Sequence, residues 1–153
     1  SPCILPEAGK PTFEISDDEI EIGMGIHGEP GIKREKLKPA NDLVDDLYKR
    51  IINDSKLTAN DNIAIMINSL GATPLEELYI ISKRVHENFS KLKIKITKSF
   101  VGRYATSMEM AGMSITVFKL DSELKKYLFN SLFNFKIVID IPAISIEVAY
   151  LPT

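Results

Sequence analysis

The run NIAIMIN, Asn62 to Asn68, constrains the fold more than any other stretch. It is short and almost wholly apolar, so it reads as a buried central strand. The sequence on either side supplies helices to cover it. Before it, Pro39 can occupy the first turn of a helix that runs to about Asp54. Leu43, Val44, Leu47 and Ile51 fall on one face of that helix, with Asp42, Asp45, Lys49 and Arg50 outside. After it, SLGATP leads into a helix from Pro74 to about Leu92. Thr73 suits the N-cap of this second helix, Pro74 its first position, and Glu76 completes a capping box.

Three more segments carry strand patterns. Ile20, Ile22, Met24 and Ile26 alternate with Glu19, Glu21, Gly23 and Gly25, a period of two with one apolar face. KIKITKSFVG, Lys93 to Gly102, sets Ile94 and Ile96 against Lys93 and Lys95. MSITVFKL, Met113 to Leu120, is rich in β-branched residues. RYATSMEMAG, which links those two, has room for one helical turn or an antiparallel reversal. Asp121 to Asn134 opens on an acidic cap and reads as a helix. Lys136 to Tyr150 holds one or two strands broken at Pro142. The order β-α-β-α-β-β-α-β predicts an α/β fold: a single domain with a mixed, partly parallel sheet flanked by helices. Residues 1–12, with three prolines and a glycine, read as an extended lead-in or linker to the domain at 13–153.

Composition narrows the functions. A chain of 153 residues can bury about 68–70% of its unfolded surface in one core. Its net charge of −2 and its interleaved charges, as in Lys33-Arg34-Glu35-Lys36, argue against a nucleic-acid surface and for a solvated face. One cysteine, Cys3, allows neither an internal disulfide nor a cysteine-based metal site. No apolar run approaches the ~18 residues of a membrane span, and no secretory signal pattern opens the chain. A cytoplasmic protein, without nucleic acid or membrane as a direct partner, is the expectation.

The stretch GMGIHGEPG, Gly23 to Gly31, places four glycines around one histidine, directly after a strand. Gly23, Gly25 and Gly28 formally satisfy G-x-G-x-x-G. The dinucleotide-binding motif also needs a helix starting within its glycines, and Pro30, Gly31 and Pro39 fall where that helix would run. A P-loop is excluded because no G-K-[ST] occurs. His27 is either a turn histidine bonded to a backbone carbonyl or a ligand-facing imidazole that the bare Gly25 and Gly28 leave open to approach. His86, on a polar stretch of the second helix, reads as solvated. No metal-ligand set accompanies His27, and no cofactor of the chain's own is expected. Direct nucleophilic addition and hydrogen bonding to a ligand remain open to its ring.

GIHGEPGI, Gly25 to Ile32, resembles the substrate-anchoring motif of the dihydroxyacetone kinases. INSLGATPLEELYI, Ile67 to Ile80, and VGRYATSMEMAGMSITVFKLDSEL, Val101 to Leu124, resemble the same subunit in order and spacing. The resemblance covers about Leu5 to Leu124 and identifies the second half of the substrate-binding, or K, subunit, with the first domain absent. It implies that His27, through Nε2, forms a covalent hemiaminal with dihydroxyacetone beside Gly25 and Gly28, and that Glu29 braces the loop or orients the ring. It implies a partner subunit that supplies the nucleotide: ADP rephosphorylated by the phosphotransferase system, or ATP. It also implies acid–base groups on the first domain, and a homodimer. The family includes a paralogue that binds dihydroxyacetone and serves as a transcriptional coactivator, so a transcription regulator is the alternative partner. The apolar extension Phe129 to Phe135 and the run DIPAISIEV, Asp140 to Val148, depart from the kinase pattern and keep that alternative open.

Overall fold

The computed structural model describes residues 2–11, 13–25 and 29–129, and the backbone of 144–150. In chain order the elements are β1 (Glu19–Ile22), β2 (Lys33–Lys36), α1 (Ala40–Ser55), β3 (Asn62–Ser69), α2 (Leu75–Lys91), β4 (Lys95–Gly102), β5 (Gly112–Leu120), α3 (Ser122–Phe129) and β6 (Ile144–Tyr150). Six strands form one sheet in the order β2-β1-β6-β5-β3-β4. β3 and β4 are parallel, joined by the crossover helix α2, and the other neighbours are antiparallel. The fold is α/β with a mixed sheet, as the order of elements implies.

The pleat of β3 divides the molecule. Ile63, Ile65 and Ile67 join a core with Leu43, Val44, Leu47 and Ile51 of α1 and Leu78, Ile81, Val85 and Phe89 of α2. Each such side chain contributes about 1.5–3 kcal/mol on full burial. The alternate residues Ala64, Met66 and Asn68 face the other side of the sheet. In β4 the expected alternation holds only as far as Ile96. A bulge shifts the register there, so that Ala64 pairs with Lys98 and Met66 with Phe100.

Four expectations are corrected. Lys33–Lys36 is an edge strand as well as a charged surface, and its charges protect that edge from further pairing. Thr73 does not cap α2: Pro74 is the cap residue, and the Thr73 hydroxyl is used on β5. Residues 2–11 do not run extended. They turn at Leu5–Gly9, close a bridge between Ile4 and Pro11, and bury Cys3. Asp45, placed outside by helix periodicity, reaches across to α2, where Arg84 donates to both its oxygens at 2.9 and 2.6 Å and Asn88 donates at 2.6 Å. Asp121 does cap α3 as expected, accepting from Leu124 N–H at 2.7 Å. The remainder of that predicted helix, and the strand start at Lys136, lie outside the described residues.

Candidate ligand-binding site

The glycine-rich stretch is the connection of a β-hairpin between β1 and β2. No helix follows it, which leaves no helix N-terminus for a pyrophosphate. The alternation that promised a strand to Ile26 stops at Ile22, because Gly23 takes φ 76° and turns the chain. A Cβ at Gly23 would lie 2.8 Å from the Ile32 side chain.

Two clamps hold the two limbs of the loop. At the root, Ile32 N–H donates to Ile22 C=O at 2.9 Å, and Gly31 N–H donates to Glu21 Oε1 at 2.7 Å. Glu21 is only 5% exposed. Its other oxygen accepts from Arg34 Nε at 2.9 Å, and Arg34 also donates to Glu14 C=O at 3.0 Å. Further out, Gly25 N–H donates to Glu29 C=O at 3.0 Å. The Glu29 side chain lies against Gly25, where a Cβ would collide with the carboxylate. Of the sequence-predicted site residues, Gly25 thus sits beneath Glu29 at this clamp. His27 and Gly28 lie outside the described residues, within the span that the clamp closes.

The sheet register sets this loop beside the end of β3. Lys33, Ile22, Val148, Met113 and Ser69 are successive partners across five strands. Met24, just beyond the root, packs with Cys3, Leu70 and Met110, with Phe13 against them. One apolar cluster therefore joins the glycine stretch to the N-terminal segment and to the two loops at the C-terminal ends of β3 and β4.

Those two loops are built on buried polar side chains. Asn68 Nδ2 donates to Ala105 C=O at 2.7 Å and to Ser114 Oγ at 3.2 Å, and its Oδ1 accepts from Tyr104 and Ala105 N–H at 2.8 and 3.0 Å. Ser69 Oγ donates to Thr73 C=O at 2.8 Å and accepts from Gly71 N–H at 3.1 Å. Thr73 Oγ1 donates to Gly112 C=O at 2.7 Å and accepts from Gly112 N–H at 2.9 Å. Ile4 N–H donates to Glu109 Oε1 at 2.6 Å, tying the N-terminal segment to the same loop. Among the described residues no buried side-chain polar atom lacks a partner. Sequence reasoning did not find Glu21, Asn68, Ser69 or Thr73 as site-building residues. A glutamate alternating with isoleucines looks solvent-facing until a partner such as Arg34 is known. Asn68 was visible only as the polar end of an apolar run.

His86 lies elsewhere, on α2, with Nε2 2.9 Å from Ser99 Oγ of β4. Burial lowers its pKa below the usual imidazole value. The residue is exposed, as its polar surroundings in the sequence imply, and one ring nitrogen meets Ser99 on the helix-covered side of the sheet. Among the described residues no cluster of three or more His, Cys, Asp or Glu could hold a metal ion, and no helix is long and apolar enough to cross a membrane.

Comparison with known proteins decides the family. The Dak1 domain model matches residues 1–133. The chain belongs to the Dak1 domain family. It is 50% identical over 123 residues to the PTS-dependent dihydroxyacetone kinase 1, dihydroxyacetone-binding subunit DhaK, of Listeria innocua, covering 80% of this chain and 37% of the relative. The Dak1 chain is also similar to a solved structure titled dihydroxyacetone kinase operon co-activator Dha-DhaQ: TM-score 0.72, 30% identity, 82% of this chain and 39% of that one. A dihydroxyacetone kinase from C. freundii, in complex with AMP-PNP and Mg2+, matches with TM-score 0.64 and 25% identity over 82% of this chain and 23% of that one. The chain thus spans less than two fifths of the length of these relatives.

Proposed function

We propose that this Dak1 chain is the ketone-anchoring part of a dihydroxyacetone-binding subunit of dihydroxyacetone kinase, with His27 as the anchor and Gly25 and Gly28 beside it. The observation that carries the reading is the 50% identity to a dihydroxyacetone-binding subunit over 80% of the chain, together with a Dak1 match whose residues 1–133 include the clamped glycine loop. In the proposed step the His27 Nε2 lone pair forms a C–N bond to the carbonyl carbon. The carbonyl π pair moves to oxygen, which takes up a proton while Nδ1 gives one up, leaving a neutral hemiaminal. Covalent capture selects ketones: glycerol offers hydroxyls of the right size but no carbonyl. On this reading residues 13–153 form the second domain of a longer subunit, phosphoryl transfer comes from a partner subunit that holds the nucleotide, the protein is cytoplasmic, and the subunit pairs with itself.

Intact mass spectrometry of the full-length subunit after reductive or cold trapping with dihydroxyacetone tests it. One triose per chain is expected, lost in His27→Ala and retained in His86→Ala. An adduct that survives His27→Ala overturns the assignment. A second reading, a dihydroxyacetone-sensing coactivator without kinase activity, is favoured by the fold match to the co-activator, whose TM-score of 0.72 exceeds the 0.64 of the kinase. The two readings share the anchor chemistry and separate on turnover. Phosphorylation of dihydroxyacetone with a nucleotide-bearing partner subunit supports the kinase. Adduct formation without turnover, together with binding to a transcription regulator, supports the coactivator.

A further inference from the structure

We propose that Glu21 is a positioning residue for the anchor loop, setting the limb that returns from His27 through its hydrogen bond from Gly31 N–H. This rests on the reading of His27 as the ketone anchor and adds the residue that holds the anchor's loop in place.

Four observations converge on it. Glu21 is buried, and a buried carboxylate costs far more to desolvate than the isoleucines on either side of it. The cross-strand ion pair with Arg34 accounts for one carboxylate oxygen and leaves the other on Gly31. The two oxygens do different work: Oε1 takes Gly31 N–H at 2.7 Å, inside the loop, while Oε2 takes Arg34 Nε at 2.9 Å, on β2. The contact with Gly31 is close enough to exclude any side chain there. A Cβ would lie 2.6 Å from Glu21 Cγ and 2.7 Å from Ile22 C=O. Gly31 is two residues from Glu29, whose carbonyl receives Gly25 N–H. Fixing Gly31 therefore fixes the outer clamp, and the outer clamp bounds the segment that carries His27. Arg34 neutralises the carboxylate from the solvent side and anchors it to Glu14 C=O, so the acceptor pointing at Gly31 is held in one orientation.

The test separates positioning from stability. In the full-length subunit, Glu21→Asp keeps the charge but withdraws the acceptor by one methylene. It should weaken His27-dependent dihydroxyacetone capture about tenfold, the equivalent of one charge-assisted hydrogen bond. Glu21→Gln keeps one oxygen for Gly31 N–H but turns its NH2 toward the Arg34 donor, so capture should recover in part, to a level above that of Glu21→Asp and below wild type. Asp45→Asn, far from the loop on the α1–α2 face, serves as the stability control: compared at equal loss of Tm, it should leave capture unchanged. Amide hydrogen exchange on the chain itself gives a second readout, with Gly25 and Gly31 losing protection in Glu21→Asp while β3 amides keep theirs. Capture by Glu21→Asp equal to that of the control, or unchanged protection at Gly25 and Gly31, overturns the proposal. Absence of any His27-dependent adduct in wild type overturns the functional reading instead, and the exchange measurement still decides whether Glu21 positions the loop.

Discussion

Asn68 and Ala105 are bonded to each other twice: the Asn68 amide donates to Ala105 C=O at 2.7 Å and accepts from Ala105 N–H at 3.0 Å. One side chain at the end of the central strand thus reproduces the pairing of a neighbouring strand and carries it to a loop 37 residues later. Asn68→Ala strands Tyr104 and Ala105 N–H and Ala105 C=O in a partly buried site. The expected loss is about 3 kcal/mol, as several unmade backbone bonds are partly recovered by water. Asn68→Asp should fare no better, because a carboxylate accepts the two N–H groups but repels the Ala105 carbonyl. Urea denaturation with unchanged m-value checks both.

Gly71 is a second point of rigidity. Its φ is 148°, its backbone bridges Met110, and a Cβ there would collide with the Met108 carbonyl. Gly71→Ala should cost about 2–4 kcal/mol by combining backbone strain with displacement of the 103–111 loop. Tyr104, exposed on that loop, should show the displacement as a changed fluorescence signal below the unfolding transition.

The helix pair predicts an acid limb. Hydrogen bonds from Arg84, then from Asn88, lower the Asp45 carboxyl from 3.8 to about 2. A carboxyl lowered by folding adds its full stability above its unfolded value. It loses that stability as pH falls from about 4 through 2. With the side chain 28% exposed, the contribution is about 2 kcal/mol at neutral pH. Wild type should therefore lose that amount between pH 5 and pH 2, as about two pKa units require. Asp45→Asn should start lower at pH 7 and lose correspondingly less. Urea midpoints across that range measure the difference.

How much of this was legible in the sequence follows from what periodicity can encode. The buried faces of α1 and the burial of β3 were readable, because a 3.6-residue or continuous apolar pattern reports burial directly. β2 was not, because Lys33–Lys36 has no apolar residue to alternate and owes its strand to pairing with β1. Thr73 was misassigned for a related reason: a hydroxyl before Pro74 satisfies the capping pattern, but β5 lies within reach in the folded chain and takes both its donor and its acceptor. At the candidate site the sequence shows a cluster of glycines after a strand, and Gly23 takes a positive φ, which glycine adopts without strain. The clamps at Glu21 and Glu29 involve partners ten and four residues apart, with no periodic signature.

The last prediction concerns the two histidines. If His27 attacks as a neutral ring, dihydroxyacetone capture should fall as pH drops through the imidazole range, near ~6.5, since a protonated ring has no lone pair to give. The pH at half-capture then reads the His27 pKa. His86→Ala should leave both the amount captured and that midpoint unchanged, because His86 engages Ser99 on the helix-covered side of the sheet. Trapped-adduct mass spectrometry from pH 5 to 8 measures both curves. Glycerol should give no adduct at any pH in that range, lacking the carbonyl that the lone pair needs. Capture that rises toward acid pH would mean that a group other than His27 forms the bond to the ketone, with a protonated His27 at most donating a hydrogen bond to it.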